Sequence, residues 1–101
     1  MSRVARYGRM TAKPGRGEEL ARLMLAAAAQ QAEDPGCLLY LVNRAKADRD
    51  ELWVTELWRS QADLDASIEQ IRGSDDVAAV MALVEDFEAI ELEELGGKGP
   101  G

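Results

Sequence analysis

The chain has 101 residues with 12 basic and 19 acidic side chains, a formal net charge of −7, which bounds it to one small domain with no room for a separate cofactor domain. With 47 % hydrophobic and 31 % charged residues it reads as a soluble globular protein; the acidic balance argues against nucleic acid as a partner, since phosphate neutralisation dominates that affinity. The absence of histidine excludes Ser-His-Asp and Cys-His catalysis and histidine-held zinc or haem, and the lone Cys37 closes no intrachain disulfide. The longest uncharged apolar run, Leu23 to Ala29, falls far short of the roughly 20 residues of a membrane helix. Arg3, Arg6 and Arg9 break up any secretory h-region, so no membrane partner and a cytoplasmic location are expected.

Val4 to Ala12 lacks helical apolar spacing and stops at Lys13-Pro14-Gly15-Arg16, a turn signal, so it predicts a first strand. Leu20, Leu23, Met24, Ala27 and Ala28 then follow i, i+3, i+4, i+7, i+8, with Glu18 and Glu19 in the first turn where the helix dipole favours anions. That helix must stop by Glu33-Asp34-Pro35-Gly36. Cys37 to Val42 and Leu52 to Trp58 are apolar runs of strand length joined by a polar stretch, a hairpin. Ser60 to Asp63 reads as a capping box, and Leu64, Ile68 and Ile71 share one helical face up to Gly73. Ser74 caps a third helix patterned by Val77, Val80, Met81 and Val84, and Phe87 to Leu95 forms a last strand. The domain is expected over residues 1–95, with the glycine-rich tail 96–101 disordered.

Strand, helix, hairpin, helix pair, strand is the order of an α+β ferredoxin-like split β-α-β sandwich with an antiparallel sheet in the order 4-1-3-2. Charge supports that order. Residues 1–22 hold six basic side chains against two acidic ones, and residues 73–101 hold eight acidic ones against Lys98 alone, so strands 1 and 4 would neutralise each other as neighbours. The alternative is an exposed acidic edge that binds a partner. Strands 2 and 3 are apolar on both faces, whereas helices can cover only one face of the sheet. A second copy of the chain is the expected cover for the other, making a sheet-to-sheet homodimer.

Three segments carry a resemblance: Lys13-Pro14-Gly15-Arg16, Asp34-Pro35-Gly36-Cys37-Leu38-Leu39-Tyr40, and Thr55-Glu56-Leu57-Trp58-Arg59-Ser60 followed by Leu64-Asp65-Ala66. In this order they resemble the antibiotic biosynthesis monooxygenase family from about Val4 to Leu95. The resemblance implies a dimeric α+β barrel and, in the members that are enzymes, oxygenation of phenolic, often polycyclic, substrates by dioxygen without metal, flavin or haem. It breaks at Ser67, where the family pattern Leu-Asp-Ala-His carries histidine. Function is therefore expected to be either a cofactor-independent monooxygenase acting on a phenol or quinol, or a non-catalytic, ligand-binding or stress-associated barrel. A purely structural dimerisation module is a third reading.

Cofactor-free oxidation needs a phenolate, hence a base or an anion stabiliser in an aromatic-lined cavity. Glu56 is a carboxylate inside an apolar strand, where desolvation would raise its pKa toward that of a useful base. The alternative is an ion pair with Arg6 or Arg9 on strand 1. Tyr40 and Asn43 are further candidates to contact a substrate oxygen, against a backbone-satisfied tyrosine and a turn asparagine. Trp58 shares a face with Glu56 and could stack on a flat substrate or simply pack in the core. Leu23, Met24, Ser67, Ile68, Met81 and Phe87 are expected to wall a pocket between helices and sheet that takes a small aromatic ligand, with Ala26 to Ala29 leaving space beside it.

Overall fold

The computed structural model describes residues 2–100. Its elements are β1 (Val4–Ala12), α1 (Gly17–Gln31), β2 (Cys37–Arg44), β3 (Glu51–Trp58), α2 (Gln61–Ile71), α3 (Asp75–Leu83) and β4 (Val84–Glu93). All pairings are antiparallel and the sheet order is β2-β3-β1-β4, which is 4-1-3-2 read from the opposite edge. No helix among the described residues is long and apolar enough to cross a membrane. Of the expected 96–101 tail, Gly101 lies outside the described residues; Gly96 to Pro100 carry no helix or strand, and the Pro100 carbonyl accepts from Arg3 Nη1 at 3.2 Å.

The basic first strand does lie against the acidic last one. Arg9 is paired with Asp86 and Glu88 at 3.1 and 3.2 Å, and Arg3 with Glu94 at 2.7 Å. These are partly exposed pairs that align the edge strand more than they stabilise it.

The first helix is capped from a distance. Arg16, at its N-cap, makes no side-chain cap; instead the first helical N–H, that of Gly17, donates to Asp50 Oδ1 at 2.9 Å, and Asp50 Oδ2 accepts from Gly15 N in the preceding turn at 3.0 Å. Gly17 must be glycine at this contact, because a Cβ there would run into the Arg49 carbonyl and stand 2.7 Å from Asp50 Oδ1. Ser60 accepts from Asp63 N at 3.2 Å, as the capping pattern predicts. The Asp63 carboxylate takes two bonds from Arg59 and one from the Ser60 hydroxyl, which hold its pKa below the ordinary range.

The boundary between α3 and β4 departs from expectation. Periodicity carries the helix through Val84, yet α3 ends at Leu83 and Val84 opens β4 with no loop between them. The register explains this: the Leu83 carbonyl accepts from Lys13 N at 2.8 Å and Val84 pairs with Ala12, so the β1 ladder captures the chain before another helical turn forms.

Side-chain alternation divides the sheet into two faces. Leu52, Val54, Glu56 and Trp58 of β3 turn toward the helices, beside Met10, Gly8, Arg6 and Val4 of β1. The larger core cluster joins Ala12, Leu52 and Val54 to Leu20, Ala21 and Met24 of α1 and to Leu83. A smaller one joins Val4, Trp58 and Leu64, with Cys37 and Ile68 packed against it. The opposite face bears no helix and exposes Tyr7, Leu41, Trp53, Ile90 and Leu92.

Candidate functional site

A cavity of about 900 Å³ lies between the helices and the helix-facing side of the sheet. Leu23, Met24, Ser67, Ile68 and Met81 of the helices and Phe87 of β4 line it, together with Ala26 and Ala27 of α1. The sheet contributes Met10, Tyr40 and Arg6. Arg6 is the single basic residue of the lining, whose acids are Glu33, Asp34 and Asp76.

The polar floor is one row running across the sheet. Tyr40, Glu56, Arg6 and Glu91 are successive cross-strand partners on β2, β3, β1 and β4. The Glu56 side chain is only 5 % exposed, and both of its oxygens are engaged. Oε2 accepts from Arg6 Nη1 at 3.1 Å and Oε1 from Trp58 Nε1 at 2.9 Å. Glu56 thus sits beneath the cavity, outside its lining, as the buried partner of Arg6. The arginine is further seated over the Phe87 ring, 5.9 Å from its centroid. Glu91, the other neighbour of Arg6, accepts from Gln61 Nε2 at 3.0 Å.

Tyr40 brings its phenol to the cavity, and burial pushes its pKa well up, with the Glu56 charge adding to the rise and Arg6 opposing it. It is therefore a protonated donor throughout the physiological range. Ser67 lines the cavity while only 6 % exposed. Within the described residues, no hydrogen bond occupies either hydroxyl.

Two expected site residues lie elsewhere. Asn43 stands inside β2, not in a turn, and is paired with Trp53 on the helix-free face, so it cannot reach a ligand in this cavity. A β-bulge between Cys37 and Leu39 sets that parity, leaving Tyr40 inward and Asn43 outward. Trp58 is 1 % exposed in the smaller core cluster, and its indole N–H is committed to Glu56, so it is a core residue and not a stacking platform. Burial raises the Cys37 thiol pKa, in keeping with a small hydrophobe.

Arg6 is the site residue that sequence reasoning undervalued, seeing in it only an ion-pair partner. Its parity with Val4, Gly8 and Met10 was the available signal for an inward-facing cation.

Residues 3–83 match the family model for antibiotic biosynthesis monooxygenases. The chain belongs to the antibiotic biosynthesis monooxygenase family. The family's fold extends over nearly its whole length: a Chloroflexus aurantiacus J-10-fl structure named for this same family is 32 % identical, with a TM-score of 0.84 and coverage of 99 % of this chain and 100 % of that one. A Deinococcus radiodurans structure also named for the family is 22 % identical, with a TM-score of 0.85 and coverage of 95 % and 96 %. SnoaB of Streptomyces nogalater, a cofactor-independent oxygenase solved as a point mutant, shares the fold at 18 % identity, with a TM-score of 0.84 and coverage of 96 % and 97 %. No curated protein matches the chain. Within the family frame, Ser67 stands where the resemblance leads one to expect histidine, on the cavity wall.

Proposed function

We propose that the protein is a cofactor-independent monooxygenase of the cytoplasm that oxidises a phenolic or quinol-type aromatic in the helix-side cavity. The observation that carries this reading is the cavity itself: about 900 Å³ with largely apolar walls, and Arg6, Tyr40 and Ser67 among the polar groups on its lining. A phenol bound with its hydroxyl toward these groups gives its proton to a water admitted to the cavity beside it, and one proton is taken back from water by the peroxide oxygen once the adduct forms. The resulting phenolate passes one electron to dioxygen, and the superoxide and aryloxyl radical recombine at a ring carbon as a hydroperoxide. Loss of water from that hydroperoxide leaves a quinone, so one dioxygen yields one inserted oxygen and one water. No side chain changes oxidation state in this sequence. The residues bind, orient and stabilise the anion.

Oxygen uptake by metal-stripped protein with a panel of naphthalene diols tests the reading. Uptake above the spontaneous rate, saturable in diol, is the expected result. Tryptophan quenching by the same diols without any added uptake would instead favour the non-catalytic binding barrel, in which Ser67 in place of histidine marks lost chemistry. If the diols neither bind nor react, both readings fail.

The helix-free face supports a homodimer as the working unit. Trp53 is 41 % exposed and Leu41 50 % exposed on that face of the chain, side by side with Tyr7, Ile90 and Leu92. Apolar surface of this kind is stabilised by a self-complementary partner. Light scattering at micromolar concentration is expected to give twice the 11.0 kDa chain mass. Placing charge in the patch with Leu41→Glu is expected to return a monomer, and a monomeric wild type would overturn the assembly.

A further inference from the structure

Resting on the cavity as the ligand site, we infer that Arg6 is its anion-forming centre, tuned by Glu56, and that the acidic mouth restricts entry to ligands that are uncharged in solution and ionise only once bound.

Arg6 is held at one end of its guanidinium only. One guanidinium nitrogen, Nη1, is tied to Glu56, leaving Nε and Nη2 without a partner among the described residues, on a side chain that lines the cavity. Glu56 is locked in turn by the Trp58 indole, so the arginine is fixed from behind and its free edge is presented to the ligand. A phenolate at that edge would also lie among the hydroxyls of Tyr40 and Ser67. An opposite charge and hydroxyl donors both favour the ionised form of a bound phenol. Glu56 and the cross-strand neighbour Glu91 reduce the field of Arg6, so the site favours the anion moderately and does not bind it irreversibly.

The exposed part of the lining is acidic. Glu33 and Asp76 are exposed and Asp34 half-exposed, all three on a lining whose one basic residue is Arg6; Arg59, outside the lining, lies near enough to Asp34 to feel its charge but is itself paired with Asp63. Asp34 is held in place by accepting from Gly36 N at 2.8 Å. Such a ring, on a chain of net charge −7, repels a ligand that is already an anion. The chemical class selected is a weakly acidic hydroxyaromatic, and aromatic carboxylates and phosphates are disfavoured.

The test is equilibrium binding under nitrogen, so that its outcome is independent of oxygenase activity. 2-Naphthol is the probe, and phenolate absorbance reports ionisation. Bound to the wild type, its apparent pKa is expected to fall by about one pH unit from the free value. Arg6→Gln should abolish that fall and Arg6→Lys should keep part of it. Glu56→Gln, by releasing the full charge of Arg6, should deepen it. 2-Naphthoate should bind at least about tenfold more weakly than 2-naphthol, and Asp34→Asn combined with Asp76→Asn should narrow the gap. The inference is overturned if 2-naphthol fails to bind, if its bound pKa equals the free value or is insensitive to Arg6→Gln, if Glu56→Gln makes the fall smaller, or if naphthoate binds as tightly as naphthol. Circular dichroism of each variant verifies that the fold is kept. Arg6→Lys serves as the second variant if Arg6→Gln does not fold.

Discussion

Trp58→Ala is expected to bring the protein close to unfolding at room temperature. The indole is the largest fully buried side chain, packed with Val4 and Leu64, and its N–H is one of the two donors to Glu56. Truncating a buried aromatic costs about 3 to 5 kcal/mol, to which the lost bond to the Glu56 carboxylate adds. Small domains have only about 5 to 15 kcal/mol in total. Urea denaturation followed by far-ultraviolet circular dichroism measures the loss. Trp58→Phe keeps most of the packing and removes the donor, so its expected cost is smaller, about 1 to 2 kcal/mol. A loss below about 1 kcal/mol for the alanine variant would show that the indole is not the core residue described here, and would reopen its role as a ligand platform.

Glu56→Leu is expected to be nearly as damaging, by a different route. The leucine fits an apolar neighbourhood but leaves the Arg6 guanidinium and the Trp58 N–H without their common acceptor. Breaking a buried ion pair from one side costs about 3 to 5 kcal/mol; the lower end is expected here because Arg6, with its side chain 23 % exposed, can draw water from the cavity. At about 4 to 8 °C per kcal/mol for a domain of this size, the Tm should drop by more than about 10 °C. The double variant Arg6→Met with Glu56→Leu removes both charges and should recover most of the loss, a coupling that single-site packing effects cannot produce. Glu56→Gln keeps an acceptor and should cost about 1 to 2 kcal/mol. If Glu56→Leu instead kept its Tm while oxygen uptake vanished, Glu56 would act on the substrate as a base and the structural pairing described here would be secondary.

The element order, the first strand from Val4 to Ala12, the Ser60 and Ser74 caps and the pairing of a basic strand with an acidic one were all legible in the residues, because each rests on local periodicity, local hydrogen bonding or net charge. The helical walls of the cavity were legible for the same reason: Leu23, Met24, Ile68 and Met81 fall on the apolar faces of their helices. Tertiary structure decided the rest. A single bulge residue near Leu38 sets whether Tyr40 or Asn43 turns inward, and a one-residue slip of register is invisible in a strand that is apolar almost throughout. The same holds for Val84, where helical periodicity continued but the ladder with Ala12 took the residue. Asp50 caps a helix that begins 33 positions earlier, beyond any local pattern. The division of labour between Arg6 and Glu56 was equally hidden. Both lie on the same face of neighbouring strands, and only three-dimensional packing ties the carboxylate to the Trp58 indole and leaves the guanidinium on the cavity wall, so that the cation, not the anion, lines the cavity.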